Sequence, residues 1–238
     1  EGVKALAQAA AGNDTLLELA VGAGKIRVQE VKGGVQSKRK PGHLNLKNQT
    51  LGPLSALVVA QLLKANKTAT SIDLSHNSLR KEGTRALCEV MEGMFQLAEI
   101  NISSNEIYPD GGESMAALVE KCAKLSVLKV AENNLTNWGQ SCAPLESIVA
   151  NALRTDTLKV LHLQGNVLRE PGAAAIARLI KESKTLEEID LSRAQLGPDG
   201  AISIADALTG KESNLKVLKL GEKSIGSRGS TQIGRAHV

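Results

Sequence analysis

The sequence predicts a curved α/β solenoid, a horseshoe with a parallel sheet on its concave face, helices on its convex face and about eight repeats. Three observations predict it. A short block of alternating apolar and polar residues recurs along the chain, the blocks lie about 28 residues apart, and aromatic residues are nearly missing. The 238 residues contain one Phe, one Tyr and one Trp, although 42% are hydrophobic. A single large core leans on aromatic bulk. A thin core of Leu, Ile, Val and Ala, repeated many times, does not. With 23% charged residues and a formal net charge of +4, the composition is that of a folded protein, not a disordered chain or a collagen-like fibre. No apolar run reaches the ~18 residues of a membrane-spanning helix, so no membrane span is expected.

Five blocks set the repeat: Ser71-IDLSHNSL-Arg80, Glu99-INISSNEI-Tyr108, Val127-LKVAENNL-Thr136, Val160-LHLQGNVL-Arg169 and Glu188-IDLSRAQL-Gly197. A further apolar residue (Ala69, Leu97, Leu125, Leu158, Leu186) precedes each, giving LxxLxLxxNxL. The Asn slot fixes the register. Asn77, Asn105 and Asn133 are 28 apart, Asn166 follows after 33, Ala194 after 28 and Lys223 after 29. Backwards, Gln49 and Gly24 take the same slot at intervals of 28 and 25.

Each element follows from this phasing. The chain opens on a helical pattern, and a first strand is expected over Glu18–Gly22. Residues 25–40, KIRVQEVKGGVQSKRK, replace one helix with an irregular basic segment. From His43 onwards the expected order is strand, turn, helix and return loop in every unit. The helical stretches show apolar residues at i, i+3, i+4 and i+7, as in Ala173–Lys184 and after Ala201. Pro109, Pro171 and Pro198 fall near helix starts, where a missing N–H costs nothing. Asp110 and Asp199 lie in first turns, where the helix dipole favours a negative charge. A Gly recurs six residues past the slot: Gly83, Gly111, Gly139, Gly172, Gly200 and Gly229. The repeat from Asn133 to Asn166 carries an insertion at Thr136-NWGQSCAP-Leu145, with the single Trp138. Parallel strands stack about 4.8 Å apart and helices need about 8–10 Å, so the stack must curve. Ile233–Val238, IGRAHV, reads as the in-frame translation of a sequencing-adapter oligonucleotide. Residues 230–238 are therefore expected to be a non-native tail, and residues 1–229 a solenoid fragment open at both ends.

This pattern resembles the leucine-rich repeat family in its 28-residue, ribonuclease-inhibitor-like form, as in NOD-like receptor repeats, the Ran GTPase-activating protein and tropomodulin-like actin regulators. The resemblance implies a buried ladder of Asn77, Asn105, Asn133 and Asn166, which would satisfy backbone groups where the chain leaves the sheet. Ala194 and Lys223 break it, so looser C-terminal turns are expected. It implies a scaffold shared across the family, and not an activity.

Outward strand positions are the candidate partner-binding residues. The middle column is Asn45, Asp73, Asn101, Lys129, His162, Asp190 and Lys219, with Glu99 and Glu188 in the column before it and an apolar strip of Val127, Val160 and Val217. His162 and Asp190 lie on neighbouring rungs and are expected to touch. Trp138 is either an anchor for a partner or a cover for the edge of the core. Lys38, Arg39 and Lys40 belong to the basic segment, which is either a solvated loop or a dock for an acidic surface. No aromatic accompanies them, and no clear nucleic-acid site is expected.

No chemistry is indicated. Gly22-AGK lacks the Gly and the Ser or Thr of a phosphate loop, and the histidines lack metal-ligand spacing. Neither cofactor nor metal is expected, and the reading is not an enzyme. Cys88, Cys122 and Cys142 sit in apolar-periodic stretches as small hydrophobes and point to a cytoplasmic, or nuclear, location. The expected function is a non-enzymatic protein–protein interaction scaffold. The alternative is a GTPase-activating protein similar to the Ran-directed family.

Overall fold

The computed structural model describes residues 1–33, 41–209 and 213–221. It opens with helix α1 (Gly2–Gly12), a hairpin of β1 (Glu18–Val21) and β2 (Gly24–Arg27), and one helical turn, α2 (Val28–Val31). Strand–helix units follow: β3 (His43–Asn45) and α3 (Gly52–Leu63), β4 (Ser71–Asp73) and α4 (Arg80–Met91), β5 (Glu99–Asn101) and α5 (Tyr108–Lys121). Then come β6 (Val127–Lys129) and α6 (Ala143–Thr155), β7 (Val160–His162) and α7 (Arg169–Glu182), β8 (Glu188–Asp190) and α8 (Gly197–Leu208), and β9 (Val217–Lys219). Strands β3 to β9 form one seven-stranded sheet in sequence order, each pair parallel.

The register is the one the blocks dictate: His43, Ser71, Glu99, Val127, Val160, Glu188 and Val217 stand in one row. Side chains alternate along a strand. The central residues Leu44, Ile72, Ile100, Leu128, Leu161 and Ile189 therefore point inwards, none more than 3% exposed, while their neighbours face outwards. The helices close the other side of this thin core.

The asparagine ladder is built as the resemblance implied. Asn105 Oδ1 accepts from the backbone N–H of Asn77 at 3.0 Å and of Leu79 at 3.3 Å. Its Nδ2 donates to the carbonyls of Leu74 and Ile102 at 3.0 and 2.9 Å. Asn77, Asn133 and Asn166 repeat the arrangement and all four are at most 1% exposed. The ladder has a physical job. In the turns after β4 and β5 the residues just before, just after and three after the Asn adopt left-handed backbone, as at His76, Ser78 and Arg80, with φ of 59, 50 and 54°. Such angles are costly for side chains other than Gly, and the buried amide bonds offset that cost. At Ala194 backbone groups substitute: Asn166 N–H donates to Leu163 O at 3.1 Å and Leu168 N–H to Ala194 O at 2.8 Å.

The recurring glycines set helix spacing. A Cβ on Gly200 would lie 2.8 Å from Ala173 Cβ, and one on Gly83 2.9 Å from Ala56 Cβ. Gly139 departs from the expected column. The insertion delays α6 to Ala143, and Gly139 lies in the preceding loop with φ of 80°.

The N-terminal unit also departs from expectation. The first strand does not join the parallel sheet. Gly22, with φ of 61°, and Ala23 make a two-residue turn, and β1 folds back antiparallel on β2. A Gly at the first position of such a turn suits a tight hairpin, whereas a ladder turn would need an amide at the slot that Gly24 fills. The basic segment is not wholly a loop either. Its start, 25–33, forms β2 and α2 and buries Ile26, Val28 and Val31 completely. Ser55 Oγ donates to Val21 O at 2.6 Å and Asn66 Nδ2 to Val31 O at 2.9 Å, pinning this cap to α3. Helix α3 takes α1 on one side and α4 on the other, so its GPLSALVVAQLL is apolar nearly all round. Lys38, Arg39 and Lys40 lie outside the described residues, as do Lys223, Gly229 and the expected tail at 230–238.

Candidate protein-interaction surface

Two polar clusters occupy the concave sheet. In the first, His43 Nδ1 lies 3.0 Å from Ser71 Oγ, Ser71 Oγ donates to Glu99 Oε2 at 3.1 Å, and Lys129 Nζ donates to Glu99 Oε1 at 3.0 Å. In the second, Glu188 Oε1 lies 3.1 Å from His162 Nε2 and accepts from Lys219 Nζ at 2.7 Å. The hydrogen bonds from Lys219 and His162 hold the Glu188 carboxyl below the usual carboxylate range, and Glu188 in turn raises Lys219. Val127 and Val160, neighbours in register, separate the clusters. Glu188 interrupts the expected apolar strip before it reaches Val217.

The middle column divides into two kinds of residue. Asn45, Asp73, Asn101 and Asp190 turn their Oδ1 back onto the backbone N–H two residues on, at Lys47, Ser75, Ser103 and Ser192. These four brace the strand exit. Lys129, His162 and Lys219 reach across rungs instead. His162 meets Glu188 and not Asp190, because Asp190 is engaged with its own backbone and only 9% exposed.

Ser71, His43 and Glu99 are the residue types of a hydrolytic triad, but in the wrong order. The serine hydroxyl donates to the carboxylate, so the acid does not orient the imidazole as a base requires. The thiols are equally unsuited to attack. Burial raises Cys88, lifts Cys122 to about 11 and raises Cys142, leaving all three as protonated, unpaired core side chains.

A second candidate surface runs along the rim where strands lead into helices. The structure places Trp138 there, 63% exposed, which removes its reading as a cover for the core. Tyr108 stands on the preceding rung at 44% exposure. Arg80 pairs with Glu106, and Arg193 reaches back two rungs to Glu132. The second reach depends on Gly165, with φ of 72°, whose Cβ would lie 2.8 Å from Glu132 Cγ. Tyr108, Arg80 and Arg169 were not picked out from the sequence. Their common position, three past the Asn slot, was the available signal. Among the described residues no group of three or more His, Cys, Asp and Glu is gathered as a metal site would need, and no helix is long and apolar enough to cross a membrane.

Comparison with known proteins adds the following. A family model described as Leucine Rich repeat matches residues 157–177 and 182–205. A mouse protein, NACHT, LRR and PYD domains-containing protein 12, is 28% identical over 232 residues, which is 93% of this chain. The chain spans about a fifth of that relative's length, 21%. Among solved structures, the tropomodulin C-terminal domain from Caenorhabditis elegans is 15% identical with a TM-score of 0.48, covering 89% of this chain and 93% of that one. Leiomodin-1 actin-binding site 2 is 13% identical with a TM-score of 0.43, covering 88% and 87%.

Proposed function

Because this chain is a leucine-rich repeat protein of the 28-residue, ribonuclease-inhibitor-like type, we propose that it is a non-enzymatic scaffold that binds a protein partner through its concave sheet and adjoining rim. Leucine-rich repeat proteins generally act as protein-interaction scaffolds, and the partner is the specific part of the proposal. One observation carries it: seven short parallel strands in one register, with an amide ladder from Asn77 to Asn166 behind the central ones, present outward side chains on a preformed surface. Such a surface loses little conformational entropy on binding. Lys129, His162, Lys219, Glu99 and Glu188 are the side chains we assign to contact, with Asn45, Asp73, Asn101 and Asp190 bracing the strands behind them. Trp138 extends the surface at the rim. Lys38, Arg39 and Lys40 are proposed as an accessory dock for an acidic surface. The three unpaired thiols suit a reducing compartment, so we place the protein in the cytoplasm or nucleus.

The test is site-specific photo-crosslinking in cells. Crosslinkers at positions 129, 162 and 219 should give protein adducts, and those at positions 113 and 178 on the convex helices should not. Adducts confined to the convex side would overturn the reading. Acceleration of GTP hydrolysis by Ran on addition of the chain would replace it with the activator similar to the Ran-directed family.

A further inference from the structure

Granted the scaffold reading above, we propose that the rim around Trp138 takes an acidic peptide segment, seating an apolar side chain against the indole while a carboxylate pairs with the Arg169 guanidinium. The first support is where the aromatics went. The chain's single Phe, Tyr and Trp are all on the surface, Phe95 at 83%, Trp138 at 63% and Tyr108 at 44% exposed. Phe95 lies at the opposite edge of the strands, before β5, whereas Tyr108 and Trp138 share the strand-to-helix rim. Tyr108 N–H donates to Asn133 O at 3.0 Å, and Asn134, the next residue, accepts from Trp138 N–H through its Oδ1 at 2.6 Å. The two aromatics therefore hang from one short stretch of ladder.

The second support is that the inserted loop is built. Thr136 Oγ1 donates to Val167 O and accepts from Gly139 N–H at 3.1 Å, and Ser141 N–H donates to Thr136 O at 2.9 Å. Asn137 Nδ2 donates to Gln140 Oε1 at 2.9 Å. Trp138 itself holds a left-handed φ of 57°, an unfavourable angle for a bulky residue. A stitched loop that holds an indole out in water spends stability to display it.

The third support is charge. Arg27, Arg80, Arg85, Arg154, Arg178 and Arg193 each pair with a carboxylate. Among the described residues Arg169 is the arginine with no carboxylate partner. Its side chain lies over Gly139, the residue after Trp138: a Cβ on that glycine would stand 2.6 Å from Arg169 Cδ and 2.7 Å from Nε. The adjacent Glu170 turns to the next rung, with Oε1 4.0 Å from where a Gly197 Cβ would be. The rim carboxylates Glu106 and Glu132 are occupied by Arg80 and Arg193. An exposed Trp with an unpaired arginine on the next rung and a Tyr on the preceding one has the composition of a binding hot spot, and a guanidinium selects a carboxylate by two parallel hydrogen bonds.

Trp138 is the only tryptophan, so its fluorescence reports on this site directly. The full chain is titrated with a short, end-blocked peptide of glutamate and leucine and with its lysine–leucine counterpart. The acidic peptide should shift Trp138 emission to the blue and shield it from acrylamide, saturably. In Arg169→Gln the affinity should fall by about tenfold, roughly the loss of one charge-assisted pair, with Arg169→Lys recovering part of it. An equal response to the lysine peptide, undiminished binding in Arg169→Gln, or a silent Trp138 overturns the proposal. Anisotropy of a labelled acidic peptide separates this from failure of the scaffold reading. Binding that leaves Trp138 silent but is lost in Lys129→Glu keeps the concave-face scaffold and removes the rim site.

Discussion

At the scale of the residue, the slot asparagine does the most. Its amide is the one short side chain with both a carbonyl acceptor and a two-proton donor, and Asn105 uses them on four backbone groups from two rungs, its own and the preceding one. Replacing it with Ala leaves the Asn77 and Leu79 N–H groups buried and unsatisfied. Asn105→Ala should therefore lower stability by about 3 kcal/mol, read by urea denaturation. Ser104→Ala, one residue away, should change it by under about 0.5 kcal/mol. Equal losses would mean that packing, and not the ladder, sets the turn. The same logic explains Gln49. Its backbone N–H reaches Asn77 Oδ1 at 2.9 Å, but its longer side chain bends back to Lys47 O and leaves the core. The ladder consequently begins at Asn77, although the sequence spacing carries the slot further towards the N-terminus.

At the scale of the element, helix-to-helix distance is set by glycines that meet a neighbour's Cβ. Ala173 Cβ and Leu196 Cβ stand 2.8 and 3.4 Å from where a Gly200 Cβ would be. Both are fixed by backbone, so neither can swing away. Gly200→Ala gains about 1 kcal/mol of helix propensity, yet overpacking costs about 1–3 kcal/mol. The net expectation is a lower thermal midpoint. Gly12→Ala in α1, where nothing lies within 4 Å, should raise the midpoint. If both raise it, the helices are not held at contact distance. Elements whose residues repeat were legible from sequence: strands β3 to β9, their register and the inward column all follow from LxxLxLxxNxL. Elements that depend on a single local choice were not. Gly22 fits a repeat turn or a hairpin equally well until a partner strand is known, and β1 took the hairpin. Gly139 kept the glycine spacing by coincidence, because spacing cannot show where an insertion has moved the helix start. Trp138 stood out as the only one of its kind, but whether it covered core or faced water depended on the fold of an irregular loop. Tyr108 and Arg169 went unmarked because their position in the repeat tolerates many residue types.

At the scale of the whole molecule, a solenoid has no long-range core, and each rung is stabilised by its neighbours. Stability should then follow the ladder along the chain. The asparagine ladder runs unbroken from Asn77 to Asn166. Beyond it, Ala194 offers only its backbone, and β9 closes the described sheet with Val217 and Lys219 exposed. What helps hold β9 is electrostatic: Lys219 on Glu188, with Lys216 on Glu187 at 2.7 Å. Both carboxyls are held below their ordinary value of 4.5 by these lysines. Their contribution is complete above that value and is lost as pH falls through the lowered one. Lys219, raised above 10.5 by Glu188, contributes below 10.5 and loses its hold as pH rises through the raised value. Native-state hydrogen exchange should therefore show strong protection from β4 to β7, weaker protection in β8 and the weakest in β9. Moving from neutral pH to below 4.5 should weaken β9 first, after correction for intrinsic exchange rates, while β5 and β6 stay protected. Uniform protection from residue 100 to 220, or simultaneous loss in β5 and β9 on acidification, would mean that the chain unfolds as one cooperative block, and that the missing asparagine at position 194 has no energetic consequence.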